Sequence, residues 1–139
     1  MGHVNHLTRL LYRKVADAAT ISVQNPVRLG DDSEPEPDLA VLRPRDDAYA
    51  SRMPVADDIL LLIEVADTSV RYDREIKIPL YARHGVPVVW LIDVANDVIE
   101  VYEQPIDGDY TVIRKPPQNA RVTLEALPNL DFRAANLFV

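Results

Sequence analysis

Apolar residues recur at helical spacing over residues 3–18. Val4, Leu7, Leu10, Leu11, Val15 and Ala18 form a stripe with Arg9, Arg13 and Lys14 off it, which predicts an amphipathic helix. Over 20–29 the pattern becomes alternating, with Ile21, Val23, Val27 and Leu29 one way and Ser22, Gln24 and Arg28 the other. That predicts a strand, put at a sheet edge by Pro26. An acidic, proline-rich turn leads to a second strand at 38–43, and a polar stretch at 44–58 reads as a loop. The continuous apolar run 59–66 is the pattern of a strand buried on both faces.

Thr68 or Ser69 is placed to cap a helix that ends at Gly85. Pro79 interrupts it, so either a short turn precedes a helix starting near Ile78 or one helix is kinked. A further buried strand is expected at 86–93, then a hairpin of strands 98–103 and 110–115 around turns at 94–97 and 106–109. The tail closes in a short helix near 134–138. Helix, three strands, helix and further strands predict an α/β fold with a mixed central sheet flanked by helices and a C-terminal β-hairpin extension.

Three polar residues break this pattern. Glu64 interrupts Ile59-Leu60-Leu61-Leu62-Ile63-Glu64-Val65-Ala66, where an uncompensated carboxylate costs several kcal/mol or more. Asp38 opens the run Leu39-Ala40-Val41-Leu42 directly after Pro37, and Lys77 falls in the segment after Glu64. Carboxylates on two neighbouring strands suit a hard divalent cation such as Mg²⁺ (or Mn²⁺), with the backbone carbonyl of Val65 as a third oxygen ligand. A nearby ammonium can orient an attacking water and stabilise a phosphoryl oxyanion. Together these parts suit in-line hydrolysis of a phosphodiester.

Composition narrows the picture. At 139 residues the chain reads as one domain, 1–139. It has no cysteine, hence no disulfide framework or thiolate chemistry, which is compatible with a reducing cytoplasm. No stretch approaches a membrane span, so no membrane association is expected. The net charge of −7 is unusual for a nucleic-acid enzyme, because phosphate neutralisation carries much of such affinity. Part of the acidity is local: residues 31–38 hold five carboxylates and no base. The three histidines make no zinc pattern, and the scattered glycines form no phosphate loop.

The same residues carry a resemblance. Pro37-Asp38, then Glu64, then Lys77 resembles a PD-(D/E)XK nuclease signature with a displaced lysine; the usual lysine position, two residues past the acid, is Ala66. The longer text (Ser22-Val-Gln-Asn-Pro26, Glu34-Pro-Glu-Pro-Asp38, Ile63-Glu-Val65, Tyr72-Asp73, Lys77, Tyr81-Ala82, Gly85-Val86 and Trp90-Leu-Ile-Asp93) resembles the Uma2 family of putative restriction endonucleases. The resemblance covers nearly the whole chain and implies a restriction-endonuclease-like core, with the lysine on the helix after the acidic strand. Members of that family carry a longer N-terminal segment, so the chain is expected to be N-terminally truncated relative to them. DNA is the implied substrate and a homodimer the implied assembly, with the late hairpin as its surface.

Each residue has a plainer reading. Asp38 can cap a turn, Glu64 can pair with a buried arginine or point out at a sheet edge, and Lys77 alone is an ordinary surface lysine. Asp73 reads as a helix-start residue or salt-bridge partner; Tyr81 either packs over the site or is ordinary core, and Gln24 either reaches a metal-bound water or is an ordinary sheet-face glutamine. Two functions follow: a metal-dependent endonuclease using Asp38, Glu64 and Lys77, or a non-catalytic assembly or regulatory module that keeps the nuclease fold. RNA and small phosphodiesters suit the same chemistry as DNA.

Overall fold

A computed structural model describes residues 2–139. Six strands form one sheet in the order β1 (Thr20–Val23), β2 (Leu39–Leu42), β3 (Ile59–Ala66), β4 (Val88–Asp93), β5 (Val98–Ile106) and β6 (Asp109–Arg114). Only β3 and β4 run parallel; every other neighbouring pair is antiparallel. The sheet is therefore mixed, as the pattern predicts. A parallel pair needs a crossover, and a continuous helical segment over 70–83, here α2, provides it.

The first helix, α1 (Gly2–Val15), buries Val4, Leu7, Leu11 and Val15 of the stripe read from the sequence; it stops short of the expected 18, and Ala18 is exposed in a 3₁₀ turn, Ala16–Ala18. It covers one sheet face, packing with Leu39, Val41, Leu61, Ile63, Trp90 and Ile92. The other face carries Ala40, Leu42, Leu62, Ala66, Val89 and Leu91, packed against Ile78, Tyr81 and Ala82 of α2. Successive side chains of a strand point to opposite faces, so Glu64, between Leu62 and Ala66, points toward α2.

Pro79 neither begins a new helix nor ends the old one. The segment over 70–83 is α-helical at Val70–Tyr72, widens into a π turn at Asp73–Lys77, and is α-helical again at Ile78–Arg83. A proline lacks a donor and its ring crowds the carbonyl four residues back. Widening the preceding turn accommodates both faults without a break. The helix ends at Gly85, which takes φ +73°, a left-handed position suited to glycine.

Several boundaries differ from expectation. The strand expected over 20–29 stops at Val23 because Gln24 turns to φ +52°. Beyond that turn, Val27 and Leu29 pack with the α2 face, whereas Ile21 packs with the α1 face. The alternation was real but spans a reversal. The strand expected to end at 103 continues through Pro105 to Ile106 and reverses at Asp107-Gly108, with φ +53° and +85°, the signs of a type I′ hairpin turn. The tail forms a small sheet of β7 (Arg121–Thr123) and β8 (Asp131–Arg133), and closes, as expected, in a short helix, the 3₁₀ helix Ala134–Leu137.

Candidate active site

The β2–β3 register brings Leu39 opposite Ile63. One step further, Asp38 lies opposite Glu64, and opposed residues of an antiparallel pair share a face. The Asp38 N–H donates to Glu64 Oε1 at 3.4 Å, and the Val65 N–H donates to Asp38 Oδ2 at 2.8 Å. Asp38 thus finishes the ladder with its side chain where β2 has run out of backbone. A strand residue presents its N–H and C=O on the same side, so the Val65 carbonyl also leaves the strand toward Asp38.

From above, α2 supplies the remaining groups. Lys77 Nζ lies 3.3 Å from Glu64 Oε1 and 3.7 Å from Asp73 Oδ1. The Tyr81 hydroxyl donates to Glu64 Oε2, and the Ser69 hydroxyl donates to Asp73 Oδ2 at 3.2 Å. Glu64 and Tyr81 are inaccessible to solvent and Asp73 nearly so, while the Lys77 side chain keeps 27% of its surface exposed. Solvent therefore reaches Lys77 more readily than Glu64, Asp73 or Tyr81.

Asp38, Glu64 and Lys77 are therefore brought together, and Asp73 and Tyr81 join them. Gln24 is next to Asp38 through its backbone, whose N–H donates to the Asp38 carbonyl at 3.0 Å; its side chain is exposed. Ser69 begins α2, but its hydroxyl serves Asp73 rather than the helix backbone. Sequence reasoning offered Ser69 only as a helix cap, although the spacing Ser69, Asp73, Lys77, Tyr81 was a signal for its place beside the site.

Burial pushes the Glu64 carboxyl up to about 7, against the pull of Lys77 and the Tyr81 hydroxyl; Asp38 and Asp73 push it the same way as burial. Burial likewise raises Asp73. Burial presses Lys77 down, but Glu64, Asp73 and Asp38 together outweigh it and hold the ammonium above its ordinary range. Burial and Glu64 raise the Tyr81 phenol, so it remains a donor at neutral pH.

Were all three carboxylates ionised around one ammonium, two negative charges would remain, which one divalent cation would balance. The donor set fits a hard cation: oxygens only, two carboxylates on adjacent strands and a backbone carbonyl beside them. Among the described residues no three His, Cys, Asp or Glu side chains converge as a metal cage. Mg²⁺ does not need one, because it usually keeps several waters and one or two carboxylates.

A second ion pair stands one helical turn away. Arg74 donates through Nε to Glu100 Oε1 at 3.1 Å and through a second nitrogen to the other oxygen, and the Tyr102 hydroxyl also donates to Glu100. Glu64 pairs with Leu91 across β3–β4, and Leu91 with Glu100 across β4–β5. The two carboxylates thus lie in one row across the sheet, each gripped by a cation of α2.

Compared with known proteins, residues 3–135 match the sequence model of the Uma2 family, described as putative restriction endonuclease. No curated protein matches the chain in sequence. Among solved structures, a putative nuclease belonging to DUF820 from Anabaena variabilis is similar over 99% of this chain and 80% of its own, at 18% identity and a TM-score of 0.75. At that identity the likeness is one of fold alone: the mixed sheet with its helices matches a restriction-endonuclease-like fold. The type IIG restriction endonuclease BpuSI is similar over 73% of this chain and 11% of its own, at 15% identity and a TM-score of 0.46.

Proposed function

The chain belongs to the Uma2 family, and from that premise we propose that it is a metal-dependent endonuclease hydrolysing DNA phosphodiester bonds. The observation that carries this reading is the contact of Lys77 with a wholly buried Glu64 set beside Asp38. A buried carboxylate that served only the fold could be replaced by an apolar side chain at little or negative cost.

In this reading Asp38, Glu64 and the Val65 carbonyl hold Mg²⁺ or Mn²⁺. When bound, the metal polarises a phosphoryl oxygen and acidifies a water. Lys77 is charged at neutral pH, so it acts as a donor rather than a base: it orients the attacking water and stabilises charge on the phosphoryl oxygens. Tyr81 fixes the rotation of the Glu64 carboxylate from behind. Substrate approaches from the Asp38–Lys77 side, where the group is open.

The protein acts as a homodimer in this reading, each copy cutting one strand, and works in a reducing cytoplasm. Support for the dimer comes from the outer hairpin. β6 pairs with β5 alone in the sheet, and Ile106 and Ile113 are both more than half exposed there. Among the described residues no helix is long and apolar enough to cross a membrane.

The net charge of −7 favours the second reading, a non-catalytic module. Nicking of supercoiled plasmid with Mg²⁺ or Mn²⁺, comparing the chain with Lys77→Ala, separates the two. Metal-dependent nicking lost in the variant supports the nuclease. Equal nicking by both removes Lys77 from the mechanism. Silence of the chain under both metals favours the module.

A further inference from the structure

Ser69, Asp73, Lys77 and Tyr81 are four residues apart in succession. In a regular α-helix each four-residue step overshoots a full turn by about 40°, so such a stripe drifts steadily around the helix. The middle step, from Asp73 to Lys77, is the π turn. A π turn holds more residues per turn, so that step undershoots and takes back the drift. Asp73, Lys77 and Tyr81 consequently all face the sheet at Glu64.

Asp73 is the member whose presence stability does not explain. It is 3% exposed, and it adds negative charge beside Glu64, whose own ionisation burial already opposes. An amide or an apolar side chain would be easier to bury there. Its contacts are directional instead. One oxygen accepts from the Ser69 hydroxyl at 3.2 Å, and the other faces Lys77 Nζ at 3.7 Å. Lys77 is thereby held from two sides, by Glu64 on β3 and by Asp73 on its own helix.

We propose that Asp73, oriented by Ser69, is a positioning residue that holds the Lys77 ammonium at Glu64, and that the π turn aligns this relay. The assignment rests on the nuclease reading for its catalytic consequence and on geometry for its structural one. Removing Asp73 leaves Lys77 one carboxylate and a long flexible stem, so the ammonium loses its fixed place while Glu64 and Asp38 keep theirs.

The chain has three lysines, Lys14, Lys77 and Lys115, and the first and last are exposed. ¹⁵N-lysine labelling therefore isolates the Lys77 ammonium, with Lys77→Ala fixing the assignment. The full chain is compared with Asp73→Asn, which keeps the shape and removes the charge, and with Ser69→Ala, an exposed change that leaves the buried carboxylate in place. Expected are a slowly exchanging Lys77 signal in the parent, lost in Asp73→Asn and weakened in Ser69→Ala, and melting temperatures no lower than the parent's. Plasmid cleavage by Asp73→Asn is expected to fall about 10- to 100-fold in kcat with KM unchanged. A Lys77 signal that exchanges as fast as the exposed lysines in the parent, or one unchanged in both variants, overturns the proposal. So does activity that falls only with the folded fraction. If the parent cuts nothing with either metal, the nuclease reading fails, and the ammonium signal still decides the positioning role by itself.

Discussion

Asp38 and Glu64 hold each other across the end of the β2–β3 ladder: the Asp38 amide donates to Glu64 Oε1 at 3.4 Å, while Asp38 Oδ2 accepts from the amide next to Glu64 at 2.8 Å. Two groups that repel as charges are thus fixed as neighbours by backbone donors. A site built in this way stores electrostatic strain, and most of its measurable properties follow from where that strain sits.

Glu64 carries most of it. The carboxyl ionises near 4.5 in ordinary surroundings and near 7 when folded. Between those values the folded chain keeps a proton that the unfolded chain has released, so stability falls as pH rises through this window. Glu64→Gln has no charge to bury. It is expected to abolish metal-dependent cleavage and to be more stable than the parent above neutral pH by roughly 1–3 kcal/mol, an advantage that disappears at acid pH. Thermal melts across pH check this; a large loss of stability in the variant would instead mark a structural ion pair.

Metal binding should reflect the same carboxyl. A ligand must be deprotonated to coordinate, so below about 7 binding has to expel a proton from Glu64. Mn²⁺ affinity is expected to rise with pH up to that value and then level off, with proton release only on the acid side. Calorimetric titrations in two buffers of different ionisation enthalpy measure both quantities.

Tyr81→Phe removes the donor to Glu64 Oε2 and nothing else of comparable size. Leaving a buried acceptor short of its donor costs about 1–3 kcal/mol. The cost is larger where Glu64 is ionised, because the Tyr81 hydrogen bond favours the charged form, so the variant's deficit is expected to be smaller at acid pH and to widen as pH rises past neutral. Urea unfolding at both ends of the range tests the sign.

Arg74→Ala strips the fork from Glu100, which is 2% exposed. Burial pushes Glu100 up, but the Arg74 and Tyr102 hydrogen bonds outweigh it and hold the carboxyl below its usual range. A lowered carboxylate contributes stability above its unfolded value and loses it as pH falls. The variant is therefore expected to lose about 1–3 kcal/mol at neutral pH, a deficit that narrows in acid. That trend is opposite to the one for Glu64→Gln, and equilibrium unfolding of the two variants side by side tests the contrast.

The sheet was legible because its strands are uniform. The run 59–66 is apolar on both faces and has the same limits in the structure as in the pattern. Glu64 was conspicuous for the same reason, as was Asp38 at the mouth of another apolar run. What was not legible depends on backbone choices that side-chain pattern does not record. Gln24 reverses the chain at φ +52° inside what reads as continued alternation. Pro79 is reconciled with its helix by a π turn, which no apolar spacing announces. Asp73 looked like an ordinary helix-start acid because its burial follows from that turn. Glu100 lies in a strand whose alternation looks ordinary, and its tie to Arg74 appears only when the helix is laid over the sheet.

The separations along the chain have a consequence for how the site comes into being. Lys77 and Tyr81 meet Glu64 across 13 and 17 residues, whereas Asp38 meets it across 26. Closing a loop twice as long costs only about 0.6 kcal/mol more in chain entropy, so chain entropy favours the nearer contacts only slightly. The strand β3 and the helix that follows it form one contiguous hairpin-like unit that already contains the cation, the phenol and the carboxylate. Glu64 is thus enclosed by its own downstream neighbours, and Asp38 is brought to it from upstream. Most of the candidate site thus lies in a single stretch of polypeptide, residues 64–81.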